Sequence, residues 1–342
     1  MPLVSHTRLM PTIPVDPRAP DAAVMARAAA LLRRGGLVAF PTETVYGLGA
    51  HALDVAAVRR IYEVKGRPAY NPLIVHVAND EAARALAGDW PTTAARFARA
   101  FWPGPLTLVV RKAAHVPDEV TAGLDSVALR IPAHPVALAL LRAATIPIAA
   151  PSANRSTQLS PTTARHVERA LGGHVDMIID GGPATVGIES TVVDMRGDRP
   201  VILRPGLLGP RELEPIAGVP VVAASAEHGD THARPSPGML DRHYAPRARI
   251  ILVDGADTEI ATTRLNELQR QGERIGALLL QDTTITGPTI VVMPVNPVAY
   301  ARRLYDVLHT LDEAGCTAIV VQRVPPSAEW AGVRDRIERG AR

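Results

Sequence analysis

Lysine is nearly missing from this 342-residue chain: of 37 basic residues only Lys65 and Lys112 are lysines, so arginine is the routine cation and each lysine poses a chemical question. Cysteine is rarer still. Cys316 has no partner in the chain, which excludes a disulfide scaffold and agrees with a reducing compartment; it is read as buried filler before a strand. Aromatics are 4%, too few for a stacking platform along single-stranded nucleic acid, although weak RNA binding through a basic groove stays open. No apolar run approaches the ~18 to 20 residues of a membrane span, and residues 1–20 hold no signal-peptide core. A cytoplasmic protein without a membrane partner is expected. A Walker loop is also absent, because Lys65 is followed by Gly66 and Lys112 by Ala113, which excludes a P-loop NTPase.

What is present is a globular α/β composition, 47% hydrophobic and 21% charged with a net charge of +3, long enough for two cores. Segment 21–34 puts Val24, Ala28, Leu31 and Leu32 on one helical face and stops at Gly35-Gly36. Asp54 caps a second helix that ends near Gly66. Strands are predicted at 37–40, 73–77, 106–110, 127–131, 146–150, 177–180, 191–194 and 201–203. Ser160-Pro161 has the chemistry of a helix start. Beyond 218 the pattern fades into Pro, Ala, Ser, Gly and His, then resumes with strands at 250–253, 275–280, 290–292 and 318–321 and helices near 259–271 and 297–314. A catalytic α/β domain over 1–217, a linker and lid over 218–248, and a small parallel-sheet domain with helices on both faces over 249–342 are therefore expected.

Five polar stretches fall at strand ends of the first domain, where open α/β sheets place their ligands. They are PTETVYGLG (41–49), KGRPAYNPL (65–73), PSAN (151–154), GIESTVVD (187–194) and LRPG (203–206). Singly, each reads as a turn or a solvated loop. Together they supply cations and hydroxyls to one place, as a single site for an anionic ligand would require. Gly47, Gly49 and Ala52 satisfy G-x-G-x-x-A, but the spacing from the strand and the absence of an acid at the second strand argue against a dinucleotide fingerprint. His228, Asp230 and His232 read as solvated linker residues rather than metal ligands.

These stretches, with FWPGPLTLV (101–109), VALRIP (127–132), SPT (160–162) and the linker's SPGMLDRHYAP (236–246), resemble the YrdC-like family in its longer, two-domain form. The linker departs at Leu240-Asp241, where that family commonly has a lysine followed by an aromatic residue; an acid there belongs outside a phosphate site. The resemblance implies a twisted mixed-sheet YrdC-like domain with a basic cavity, plus a smaller Rossmann-like parallel-sheet domain. It implies synthesis of a threonylcarbamoyl adenylate from L-threonine, bicarbonate and ATP with magnesium, with no organic cofactor and pyrophosphate released. The product would pass to a downstream threonylcarbamoyl transferase complex acting on transfer RNA. A carbamoyl-AMP-forming carbamoyltransferase and an RNA-binding module are the alternatives.

By the same matching, the family's Lys-x-Arg and Ser-x-Asn signatures fall on Lys65, Arg67, Ser152 and Asn154 as catalytic candidates. ATP is expected near Arg67, Asn71, Ser126, Ser152, Ser160, Arg204 and Tyr244, and threonine near Thr44, His76, Arg130, Ala150 and Ser190. No protein side chain is assigned to a metal, the magnesium arriving with ATP.

Overall fold

The computed structural model describes residues 12–224, 243–254, 258–281, 287 and 289–342, with Thr258 lacking a described side chain. The linker expectations for Leu240 and Asp241, and those for His228, Asp230 and His232, lie outside the described residues.

The first domain is one mixed sheet of β1 (Thr12–Pro14), β2 (Val38–Phe40), β3 (Gly47–His51), β4 (Ile74–His76), β5 (Leu106–Arg111), β6 (Ser126–Arg130), β7 (Ile148–Ala149), β8 (Met177–Asp180), β9 (Thr191–Asp194), β10 (Val201–Arg204) and β11 (Val222–Ala223). Their order across the sheet is β1-β8-β2-β3-β7-β4-β6-β5-β9-β10-β11. Alternate residues face opposite layers, as a pleated strand requires. Val38, Phe40, Met177 and Ile179 pack with helices Ala22–Arg33 and Pro135–Ala144. Leu37, Ala39, Leu108 and Leu129 turn to the other face, under helices Val55–Lys65, Thr92–Phe101 and Ala164–Leu171.

Local chemistry explains most boundaries. Asp21 and Asp54 cap their helices by accepting backbone N–H groups, and Gly66 closes the second helix in the left-handed region at φ 61°. Two expectations need correction. The helix foreseen at Ser160-Pro161 starts at Ala164 with Thr163 as its cap, because the Ser160 hydroxyl is taken by Glu189 and the Pro161 carbonyl by the Tyr46 N–H. The domain boundary placed after 217 falls short of β11, which pairs in parallel with β10. The doubted fingerprint is indeed no phosphate loop: Gly47 and Gly49 lie within β3, where a Cβ on Gly49 would come 2.8 Å from the Phe40 ring and 2.9 Å from Ile148.

The second domain is the expected small parallel sheet, β12 (Arg249–Val253), β13 (Ile275–Leu279), β14 (Ile290–Val292) and β15 (Ala318–Gln322), in the order β12-β15-β13-β14. Ala277, Leu279, Ala318 and Val320 face helix Thr258–Arg270. Leu278, Ile319 and Val321 face helices Pro297–Glu313 and Ala331–Gly340. The last helix was not foreseen, because AGVRDRIERG offers only Val333 and Ile337 as large apolar residues. Cys316 is buried just before β15, as read.

The two domains share a core. Val45, Leu159 and Ile188 of the first cluster with Tyr300, Leu304, Tyr305 and Ile337 of the second. Two glycines allow the approach. Gly187, at φ 86°, would place a Cβ 2.4 Å from the Ala301 carbonyl oxygen, and Gly332 would place one 2.5 Å from the Gly206 carbonyl oxygen.

Gly332→Ala therefore tests the docking. In a free helix this change stabilises by up to about 1 kcal/mol; here the contact with Gly206 is expected to reverse the sign and cost about 1 to 3 kcal/mol. Urea unfolding of both proteins reads the sign, and a stabilised variant would mean the domains do not pack this closely.

Candidate functional site

Strand register builds the cavity. His76 ends β4 directly beside Arg130 at the end of β6, and β7 pairs antiparallel with β4, bringing Ala150 and the Ser152 turn alongside. The Ala150 N–H is held by the Ile74 carbonyl at 2.9 Å. Thr44 comes from the β2–β3 connection, Arg67 from the turn after helix Val55–Lys65, Ser190 from the approach to β9, Arg204 from the end of β10. Together with Glu189, His243 and Tyr244 these residues line a cavity of about 510 Å³ counted out to solvent.

One side presents a buried guanidinium. Arg130 donates from Nη1 to Thr44 Oγ1 at 2.9 Å and from Nε to the Gly104 carbonyl at 3.2 Å. Its Nη2 stands 2.8 Å from Glu43 Oε1, close enough for an ion pair but too poorly aligned for a hydrogen bond. Thr42 and Thr44 share a hydroxyl contact at 2.8 Å that fixes the acceptor Arg130 uses. Burial, reinforced by the Arg130 charge, pushes His76 down to about 3, so its imidazole is neutral across the working range.

Two more buried arginines, Arg67 and Arg204, line the same cavity. Arg67 donates from Nε to the Asn71 carbonyl at 3.0 Å and from Nη2 to Asn71 Oδ1 and the Pro72 carbonyl at 2.6 and 2.7 Å. Burial lowers its pKa to about 10, with Arg204 adding to the effect. Arg204 donates to the Ser190 carbonyl at 3.0 and 3.2 Å, and Ser190 Oγ meets Thr107 Oγ1 at 2.8 Å.

Lys65 behaves differently from the free phosphate-binding ammonium its rarity suggested. Its Nζ donates to the Ser152 carbonyl at 2.6 Å and to the Asn154 carbonyl, tying the PSAN turn to the helix. Burial, then Arg67, lowers its pKa well below the usual lysine value. Asn154 holds the Arg155 and Gln158 carbonyls, both at 2.8 Å. Lys65, Asn71, Ser126, Asn154 and Ser160 thus stand behind the cavity wall rather than on it. Ser126 opens β6 two register positions before the Ile74↔Ala128 pair, on the Asn71–Pro72 side.

Glu189, which sequence reasoning named but gave no role, is a second buried carboxylate of the site beside Glu43. Its carboxylate accepts from Ser160 Oγ, from Tyr305 Oη at 3.1 Å and from Arg336 Nε at 2.7 Å. Burial alone would raise its pKa; the Arg336 and Arg204 guanidiniums outweigh that and hold it at about 2. Tyr244 is buried at φ 61°, with the Arg336 guanidinium carbon 5.0 Å from its ring centroid. Arg336 was missed together with its helix. The one available signal was an arginine at the apolar-stripe position between Val333 and Ile337.

Buried polar atoms without partners concentrate here. Asn71 Nδ2, His76 Nδ1, Asn154 Oδ1, His243 Nδ1 and Tyr244 Oη all lie in or just behind the wall. Native proteins leave few such groups unpaired. Among the described residues no group of three or more His, Cys, Asp or Glu is placed to hold a metal ion. None of the described helices is long and apolar enough to cross a membrane.

Comparison with known proteins matches the chain in two parts. Residues 30–206 match the Sua5/YciO/YrdC family, described under telomere recombination, and residues 210–342 match the threonylcarbamoyl-AMP synthase C-terminal domain. The chain is 41% identical to the threonylcarbamoyl-AMP synthase of Pyrococcus abyssi over 318 residues, covering 92% of this chain and 93% of that one. It is 41% identical to the Bacillus subtilis threonylcarbamoyl-AMP synthase over 323 residues, covering 93% and 92%. The crystal structure of Pyrococcus abyssi Sua5 complexed with L-threonine superposes with a TM-score of 0.90 at 38% identity, covering 97% of this chain and 98% of that one.

The neutral His76 carries a pH signature. Its folded pKa of about 3 lies below the unfolded value of 6.5, so its contribution to stability is whole above pH 6.5 and declines as pH falls toward 3. Between pH 6.5 and 5 the loss is expected to be roughly 2 kcal/mol. Chemical denaturation at both pH values should show that much more acid loss in the parent than in His76→Gln; equal losses would contradict a buried neutral imidazole.

Proposed function

Since the chain belongs to the Sua5/YciO/YrdC family in its two-domain form and makes threonylcarbamoyl-AMP for transfer RNA modification, we propose that it does so in this cavity, from L-threonine, bicarbonate and ATP. The observation that carries the assignment is that one cavity is lined both by Arg130, which donates to Thr44 and lies beside His76 in the sheet, and by two further buried arginines, Arg67 and Arg204.

Threonine belongs on the Arg130 side. The planar guanidinium fork suits its carboxylate, with Thr44, His76, Ala150 and Ser190 around it. A neutral His76 suits this place, because an imidazolium would repel the substrate's ammonium group. The triphosphate belongs with Arg67, Ser152, Arg204 and Tyr244, all of which line the cavity. Asn71 and Ser126 lie behind these residues, Asn71 orienting Arg67. Lys65 and Asn154 act by fixing the turn that presents Ser152.

The chemistry asks for little more. The free amine of threonine adds to the carbon of bicarbonate with loss of water, or to carbon dioxide with loss of a proton, to give a carbamate, whose oxygen attacks the α-phosphorus as pyrophosphate leaves. No covalent enzyme nucleophile is required. Positioning and fixed cations matching the charge of carbamate and triphosphate supply the catalysis. Magnesium enters with ATP as part of the substrate and neutralises phosphate charge. The mixed anhydride is prone to hydrolysis, so keeping water from it favours delivery of the group to transfer RNA by a downstream transferase.

Pyrophosphate release is expected to require both threonine and bicarbonate, with threonylcarbamoyl-AMP visible by mass spectrometry. Arg130→Ala is expected to raise the threonine KM about ten- to a hundredfold, the range of a lost charge-assisted hydrogen bond. Valine should fail as a substrate because it strands the groups that bond the threonine hydroxyl. An unchanged threonine KM in Arg130→Ala would place the amino acid elsewhere.

A further inference from the structure

The proposed threonine contacts all come from the first domain, whereas the nucleotide side leans on one cation from the second. Arg336, on helix Ala331–Gly340, has no solvent exposure. Its Nε donates to Glu189 at 2.7 Å, its Nη1 to the Pro205 carbonyl at 2.8 Å, and its guanidinium covers the Tyr244 ring. Each partner leads to a nucleotide-side residue. Glu189 accepts the Ser160 hydroxyl, Pro205 follows Arg204, and Tyr244 lines the cavity itself.

A buried carboxylate on the wall of a triphosphate site is a problem unless something neutralises it. Arg336 pairs with Glu189 and is not among the side chains that line the cavity. In its absence the carboxylate would draw on Arg204, a cation that lines the cavity. We propose that Arg336 is a positioning residue for the nucleotide: by neutralising Glu189 and seating Tyr244, the second domain keeps the cationic wall available to phosphate. The inference rests on the assignment of the triphosphate to the Arg67, Arg204 and Tyr244 side. Of the proposed threonine contacts, Arg130, Thr44, His76 and Ala150 have no bond to Arg336, and Ser190 meets it only through the neighbouring Glu189. The two substrates should therefore respond differently.

The test uses the full chain with Arg336→Met, Glu189→Gln and the double variant, plus Arg336→Lys. Calorimetry measures threonine binding and, separately, binding of a non-hydrolysable ATP analogue with magnesium, and pyrophosphate release gives the ATP KM. Arg336→Met is expected to weaken analogue binding and raise the ATP KM about tenfold or more, with threonine affinity within about threefold of the parent. The double variant should recover most of the nucleotide loss, because the uncompensated charge is gone. Arg336→Lys, which keeps the charge but loses the planar fork, should fall between. Unchanged nucleotide affinity in Arg336→Met, equal losses for both substrates, or no recovery in the double variant would each overturn the proposal. If Arg336→Met does not fold, the comparison of Glu189→Gln with the double variant decides: nucleotide affinities more than about threefold apart would show that Arg336 does not act through Glu189. Failure of the parent to release pyrophosphate in the presence of threonine would instead count against the functional assignment.

Discussion

Removing a carboxylate from water costs several kcal/mol unless cations and hydrogen-bond donors take the place of the solvent. Glu189 meets that condition only where two domains meet: Ser160 from the first, Tyr305 and Arg336 from the second. The conformation of GIESTVVD, the seat of Tyr244 and the approach of helix Ala331–Gly340 to Gly206 all follow from satisfying this one group. Without its partners the carboxylate would either protonate or turn on the cavity's own cations.

The cavity shows the complementary arrangement, cations held in place before any ligand arrives. Arg67, Arg130 and Arg204 each spend donors on backbone carbonyls or side-chain oxygens, which fixes their planes. Lys65, whose flexible stem suits a mobile contact, is instead anchored on two carbonyls behind the wall. Charge fixed in this way needs little reorganisation when phosphate charge moves during the reaction. Neutral His76 differs from these cations, a buried polar group that adds no positive charge to the cavity.

Much of this was legible in the chain. The alternation of apolar strands with capped helices located most of both sheets, since Asp21, Asp54, Gly35 and Gly66 act through local chemistry that a sequence displays. The site was legible as a set of polar stretches at strand ends, because strand register is what gathers His76, Arg130 and Ala150. What was hidden depends on contacts far apart in sequence. Ser160 looked like a helix cap because nothing nearby announces that Glu189 claims its hydroxyl. Lys65 looked like a ligand contact because rarity says nothing about where an ammonium points. Arg336 was concealed in a short charged segment whose burial only the other domain creates.

The shared core has a consequence for how such a chain can change over generations. Val45, Leu159 and Ile188 belong by sequence to the first domain but by packing to the second, and Gly187 and Gly332 admit the backbones on which that packing rests. A second domain borrowed from a distant relative would meet a surface shaped for another partner, with the Glu189 charge waiting for an arginine at one particular place. The covalent join can wander in length and composition. The spatial join cannot, so the two halves are bound to drift together, each substitution at the seam constraining what its counterpart can become.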